Sequence, residues 1–337
     1  MGHEDRFDDL VASLGGFHRS WLIYLGLELG LFARIRESGA EGIAPADLGS
    51  DTGTHADAVA AWAWASDAHS LTTFENGRLT IDPDVAEILL DDHGAGFLGG
   101  QFVHAVVASM DWGGMEDFFR TGRTAGERPD RYRAAIERLT RQDIAVFFQE
   151  VLAALPQLVS DLSRGGRVVD IHCGGGRWLV AMARRFPELE LVGVEFEADS
   201  VARARATVES EGLAARIDIR QGEATSPGAS SEYDLAYFQY ALHQLRDAPV
   251  VLAAAWSALR PGGRLLVLDW PLPSTPDEFR TRHGEIIAGV QLDELYQGTA
   301  LATRDEFLAW FAAGGLPTPE RIDLPSGASV FLAERPA

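Results

Sequence analysis

Lysine is absent from this sequence, and all 29 basic residues are arginines. Without a side-chain amine no Schiff base can form on the protein and no pyridoxal phosphate can be anchored, so chemistries that need either are excluded. Cysteine is almost absent too. Cys173 stands alone, which rules out an internal disulfide and a multi-cysteine zinc site and is compatible with a reducing, cytoplasmic setting. Long apolar runs are also missing: the most apolar stretch, Trp21 to Phe32, is interrupted by Glu28 and falls short of the roughly 20 residues a membrane span needs. The acidic N-terminus has no basic segment ahead of an apolar run, so no secretory leader is expected. Positive charge is scarce. With 29 basic against 50 acidic residues the formal net charge is -21, which repels a phosphate backbone and acidic headgroups, so neither nucleic acid nor a membrane is an expected partner.

What is present suffices for two packed domains: 46% of the residues are hydrophobic and 23% charged. From Phe7 to about Glu150 apolar residues recur at three- and four-residue spacing, most clearly in Trp21 to Ile35 and Ile136 to Leu155, which predicts a mainly helical first half. Ala44-Pro45-Ala46-Asp47-Leu48 starts a short helix, Ala56 to Ala68 makes another, and Leu71 to Ile81 turns at Asn76-Gly77 into a two-stranded wing. That order is winged-helix-like. Residues 1–99 nevertheless carry 5 Arg against 17 Asp and Glu, or 5 - 17 = -12, which argues for a dimerisation domain and against a DNA reader. Residues 100–160 read as a helical linker and substrate lid, and Ser160 to Gly166 as the turn into a catalytic domain over 161–337.

From Arg167 onward β-branched runs alternate with helical segments. Strands are predicted at Arg167 to Ile171, Leu191 to Glu195, Ile217 to Gln221, Tyr233 to Gln239 and Arg264 to Trp270, with helices at Trp178 to Phe186, Ala198 to Glu211 and Ala248 to Leu259. The pattern implies an α/β, Rossmann-like domain with a mainly parallel sheet and helices on both faces, whose ligands bind at the carboxyl ends of the strands.

The first run is followed by the glycine-rich turn Asp170-Ile171-His172-Cys173-Gly174-Gly175-Gly176-Arg177 at the start of a helix. It matches a pyrophosphate cradle poorly, since His172 and Leu179 stand where a dinucleotide fingerprint has glycines. Glu195 ends the second run, where a carboxylate can accept from both hydroxyls of a ribose, and Glu223 follows the third, where one can accept from an adenine amino group. With Asp170, these acids suit a ligand bearing an ammonium and a sulfonium and no phosphate, which favours S-adenosylmethionine over NAD.

At these residues the sequence resembles the class I S-adenosylmethionine-dependent methyltransferases, whose motif Asp-x-Gly-x-Gly-x-Gly is matched by Asp170 to Gly176 with His172 in place of the first glycine. Tyr233-Asp234-Leu235 and Arg260-Pro261-Gly262-Gly263-Arg264-Leu265-Leu266 resemble later landmarks of that family, and Glu28-Leu29-Gly30-Leu31-Phe32 is similar to the dimerisation domain of small-molecule O-methyltransferases. The resemblance implies that Asp170 orients the methionyl ammonium, that Gly174 and Gly176 approach the cofactor with His172 beside them, that Glu195 holds the ribose and Glu223 the adenine, with Gln239 among the cofactor contacts. It also implies a homodimer through the N-terminal domain and assigns Cys173 to packing.

Methyl transfer to a hydroxyl needs alignment and a base. His243, after the fourth run, matches the catalytic histidine of the O-methyltransferases, and Asp269, after the fifth, the acid that supports it. A second supporting acid expected shortly before Thr303 is replaced by Leu301. The sequence therefore also resembles the metal-dependent α-keto acid C-methyltransferases. No metal is assigned; a divalent ion held by His243, His283 and Glu294 is the alternative. Arg131 and Arg133 are candidates for a substrate carboxylate, and Tyr240, His283 and Tyr296 for the rest of a small-molecule pocket. A regulator that binds a ligand without turnover is the competing class, and the acidity argues against it. O-methylation of a small organic molecule with His243 as general base is the expected reaction, and metal-assisted C-methylation of an α-keto acid the alternative.

Overall fold

The computed structural model describes residues 2–126 and 128–337. They divide into two compact units, 2–114 with 128–145 and 115–126 with 146–337.

The first unit opens with the helix His3–Glu28, which ends where Gly30 takes a left-handed φ of +70° and starts the helix Leu31–Glu37. The helices Pro45–Thr52 and Ala56–Ala68 follow, then a hairpin of β1 (Thr73–Glu75) and β2 (Arg78–Thr80). Its turn residues Asn76 and Gly77 both have positive φ, +50° and +75°, as a tight hairpin turn requires. Phe32, Ile35, Leu48, Trp62 and Leu79 form the core, with Phe32 edge-on to Trp62 at 5.3 Å. Phe32→Ala would cost about 3–5 kcal/mol, the usual range for emptying such a site.

The segment expected to be a separate linker is shared between the units. The helices Gly99–Ser109 and Asp130–Val146 bring Val103, Val107, Tyr132 and Ala135 into one cluster with Tyr24 and Leu27. Gly100 is what lets them meet, since a side chain there would stand 2.4 Å from the Arg138 carbonyl. The helix Met115–Thr121 and the chain from Val146 belong to the second unit.

That unit is built on β3 (Gly166–Ile171), β4 (Leu189–Glu195), β5 (Ile217–Gln221), β6 (Tyr233–Gln239), β7 (Leu259–Asp269), β8 (Glu320–Asp323) and β9 (Ser329–Glu334), in the order β5-β4-β3-β6-β7-β9-β8. The strands from β3 to β7 are parallel, while β9 runs antiparallel to β7 and β8 to β9. The helices Arg177–Arg185 and Ala198–Ser210 pack together against the sheet, as do Ala248–Ala258 and Arg304–Ala313. Strand order reverses between β3 and β6, and a reversal of this kind opens the crevice where α/β sheets bind ligands. The core is aromatic there: Trp178 stacks on Tyr237 at 4.3 Å, and Phe147, on a π-helical turn, lies 5.1 Å from both. No single helix among the described residues is long and apolar enough to cross a membrane.

Candidate active site

The loop after β3 is pressed onto β4 because Gly193 has no side chain: a Cβ there would stand 2.7 Å from Cys173 Sγ and from Leu179. The N–H groups of His172 and Cys173 both donate to the Val194 carbonyl, at 2.8 and 3.2 Å. Burial pushes the Cys173 thiol well up, so it stays neutral and packs. His172 meets the loop's turn with a φ of +68°, an angle histidine takes more readily than most residues. Gly174 and Gly176 are also left-handed, at +52° and +72°, but for different neighbours. A side chain at Gly176 would press on Ala204 at 3.3 Å, whereas one at Gly174 would have no described atom within 4 Å apart from the adjoining residues. The main chain at Gly174 is therefore open to a ligand.

Three carboxylates follow from the strand ends. Asp170, 3% exposed, is raised to about 8 by burial and by the nearby charge of Glu195, so it gains from a cation delivered to it. Glu195, 1% exposed, accepts from the N–H groups of Phe196 and Glu197 on Oε1 and of Gly174 on Oε2. Glu223 is exposed just beyond β5. A buried acid with no cation beside it among the described residues, a second buried carboxylate at the next strand end and an open glycine fit an aminoacyl nucleoside such as S-adenosylmethionine. Gln239 closes β6 and accepts the Tyr237 hydroxyl at 3.1 Å.

His243 sits in the turn after β6, and both carboxylate oxygens of Asp269 lie 2.9 Å from its Nδ1. Asp269 is held in turn by the Trp270 N–H, also 2.9 Å. The imidazole is 5% exposed, and its Nε2 has no hydrogen-bond partner among the described residues. Glu294, on the helix Arg282–Gln297, faces that nitrogen at 4.0 Å, and Thr299 donates to the same Oε2 at 2.5 Å. Burial by itself would lower the imidazole; Asp269 and then Glu294 outweigh it and hold His243 above its ordinary 6.5. Glu294 thus supplies a second acid from a helix and not from the segment before Thr303. Sequence reasoning placed it only among metal ligands, because no local pattern marks which helix residue faces His243.

Tyr240 takes a strained φ of +48° that swings its ring to within 4.9 Å of Trp270. Trp270 was not singled out from the sequence. Tyr296 meets Phe118 at 5.7 Å, and its carbonyl accepts the Ala125 N–H, so the segment 115–126 packs over that helix. Other expectations scatter. His283 is packed against Gly327 and lowered by burial and by Arg304, and no group of three or more His, Cys, Asp and Glu among the described residues is placed to hold a metal, so the alternative set of His243, His283 and Glu294 is not assembled. Arg131 and Arg133 lie in the first unit, paired with Asp111 and, at 3.8 Å, Asp130.

Residues 168–263 match the family model of a methyltransferase domain. A demethylmenaquinone methyltransferase of Lactiplantibacillus plantarum is 30% identical over 117 residues, 34% of this chain and 49% of that protein. The aclacinomycin 10-hydroxylase RdmB of Streptomyces purpurascens is 33% identical over 180 residues, 51% of this chain and 47% of that protein. The chain thus spans about half the length of the curated relatives it matches. The solved structure of mitomycin 7-O-methyltransferase MmcR superposes with a TM-score of 0.71 at 20% identity, over 98% of each chain. Residues 168–263 thus carry the likeness to a methyltransferase domain, and the fold, helical region included, is similar to that of the solved MmcR structure.

Proposed function

We propose that this protein transfers a methyl group from S-adenosylmethionine to a hydroxyl oxygen of a small organic molecule, with His243 as general base. The observation that carries the reading is the dyad of His243 and Asp269 with Nε2 buried, unpartnered and turned toward Glu294. The cofactor, when bound, supplies an electrophilic methyl group. Asp170 would hold its ammonium, Glu195 its ribose and Glu223 its adenine, with the open backbone of Gly174 and the nearby His172 and Gln239 lining the rest.

Asp269 accepts a hydrogen bond from the Nδ1–H, which keeps the proton on Nδ1 and the lone pair on Nε2. The acceptor hydroxyl gives its proton to that nitrogen as its oxygen becomes nucleophilic. Asp269 and Glu294 then stabilise the imidazolium from either side. Tyr240, Trp270 and Tyr296 favour a planar or apolar acceptor.

We read the assembly as a homodimer in a reducing, cytoplasmic setting. Phe7, Leu10, Val11, Leu14 and Phe17 are exposed at three- and four-residue spacing along the helix His3–Glu28, an apolar face that a second copy can bury.

The test is transfer of labelled methyl from S-adenosylmethionine to a panel of phenols by the wild type and His243→Ala. Because one relative is named a hydroxylase, the same reactions are read for oxygen insertion. Oxygen insertion without methyl transfer, or transfer that survives His243→Ala, would overturn the reading.

A further inference from the structure

His172 is where this loop departs from the glycine pattern, and its side chain has a definite place. The left-handed backbone aims the imidazole at β4, with Nδ1 3.3 Å from Glu195 Oε2 and the ring stacked on Phe196, centroids 5.6 Å apart and planes within 11°. A carboxylate offers about two acceptor directions on each oxygen. On Oε1 both are taken by main chain, from Phe196 at 2.9 Å and Glu197 at 3.0 Å; on Oε2 one is taken by Gly174 at 3.1 Å and the other faces His172. The amides are fixed by the turns that end β3 and β4. Only the imidazole can leave.

We propose that His172 occupies the place on Glu195 that a ribose hydroxyl of the cofactor takes, so that the nucleoside enters by displacing the imidazole and His172 sets the affinity of the site. This rests on the reading of Glu195 as the ribose acceptor. The hydroxyl gains its hydrogen bond only by parting the imidazole from the same oxygen. Glycine at position 172 adopts the left-handed angle without strain and removes the competitor. Sparing the loss of that polar contact to a carboxylate corresponds to about a tenfold gain in affinity.

Calorimetric titration of the wild type and His172→Gly with S-adenosylhomocysteine, and with its 2′,3′-dideoxy analogue, tests this. The expected result is about tenfold tighter binding of S-adenosylhomocysteine by the variant, with no comparable gain for the analogue. Unchanged or weaker binding by the variant, or an equal gain for the analogue, overturns the proposal. A readout that needs no variant accompanies it: in the wild type the His172 Nδ1 nitrogen resonance shifts on saturation with S-adenosylhomocysteine, and an unmoved resonance also overturns it. Failure of either protein to bind S-adenosylhomocysteine would instead overturn the cofactor reading on which the proposal stands.

Discussion

Glu294→Gln removes the carboxylate charge facing Nε2 of His243 while keeping the volume of the side chain. At the observed 4.0 Å, a unit charge pair in an effective dielectric of about 20 interacts by about 4 kcal/mol. Thr299 already donates to that oxygen at 2.5 Å and the side chain keeps some solvent contact, so about one to two thirds of this survives as a difference between the protonation states. At 1.36 kcal/mol per unit the His243 titration should fall by about one to two pH units. The sign follows from the structure: Asp269 and Glu294 raise the imidazole above 6.5 against the opposing effect of burial, and removing one of them returns it toward or below that value. Stability follows by linkage. The raised imidazole stabilises the fold fully below pH 6.5 and loses that contribution as pH rises through the raised value, so the variant should melt lower than the wild type at pH 6 and converge with it at pH 9. The assay is a proton NMR titration of the His243 ring, assigned by its loss in His243→Ala. A midpoint that stays put or rises would refute the reasoning.

Three further outcomes are expected. His243→Ala should bind S-adenosylhomocysteine as the wild type does and lose turnover by about 10²- to 10⁴-fold, read by labelled methyl transfer. Gly174→Val should fold, since nothing lies within 4 Å of the new side chain, yet weaken cofactor binding more than about tenfold by calorimetry, through the positive φ and the filled approach. Asp170→Asn should also lose cofactor affinity, but the ligand-free variant should melt higher than the wild type at pH 9, because a carboxyl raised to about 8 is ionised there at the expense of the folded state.

The parallel strands were legible because each is a short buried run closed by a polar turn, and each expected strand lies within a few residues of the observed one. Residues Glu320–Asp323 were not, since this edge strand is charged along most of its length and carries no alternation. In residues 100–160 the helical periodicity was legible, but the choice of neighbour was not, since it is made by Gly99 and Gly100, where backbones meet. At the candidate site, the placing of Asp170, Glu195 and Asp269 at strand ends and of His243 just after β6 was legible. Glu294 and Trp270 depend on how distant segments fold back. Arg131 and Arg133 show what a sequence leaves unsaid about a basic residue: which nearby acid it pairs with, here Asp111 and Asp130.

The pairing of β9 with β7 bears on how the protein is made. Asp269 lies in register with Ser329, so the acid that orients His243 borders the last strand of the sheet. As the chain leaves the ribosome, β3 to β7 emerge first, and the free edge of β7 from Arg264 to Asp269 waits for residues Ser329–Glu334. During that interval the edge is open to pairing with other chains. The border of Asp269 and the protection of that edge are therefore completed together, when residues Ser329–Glu334 pair with β7.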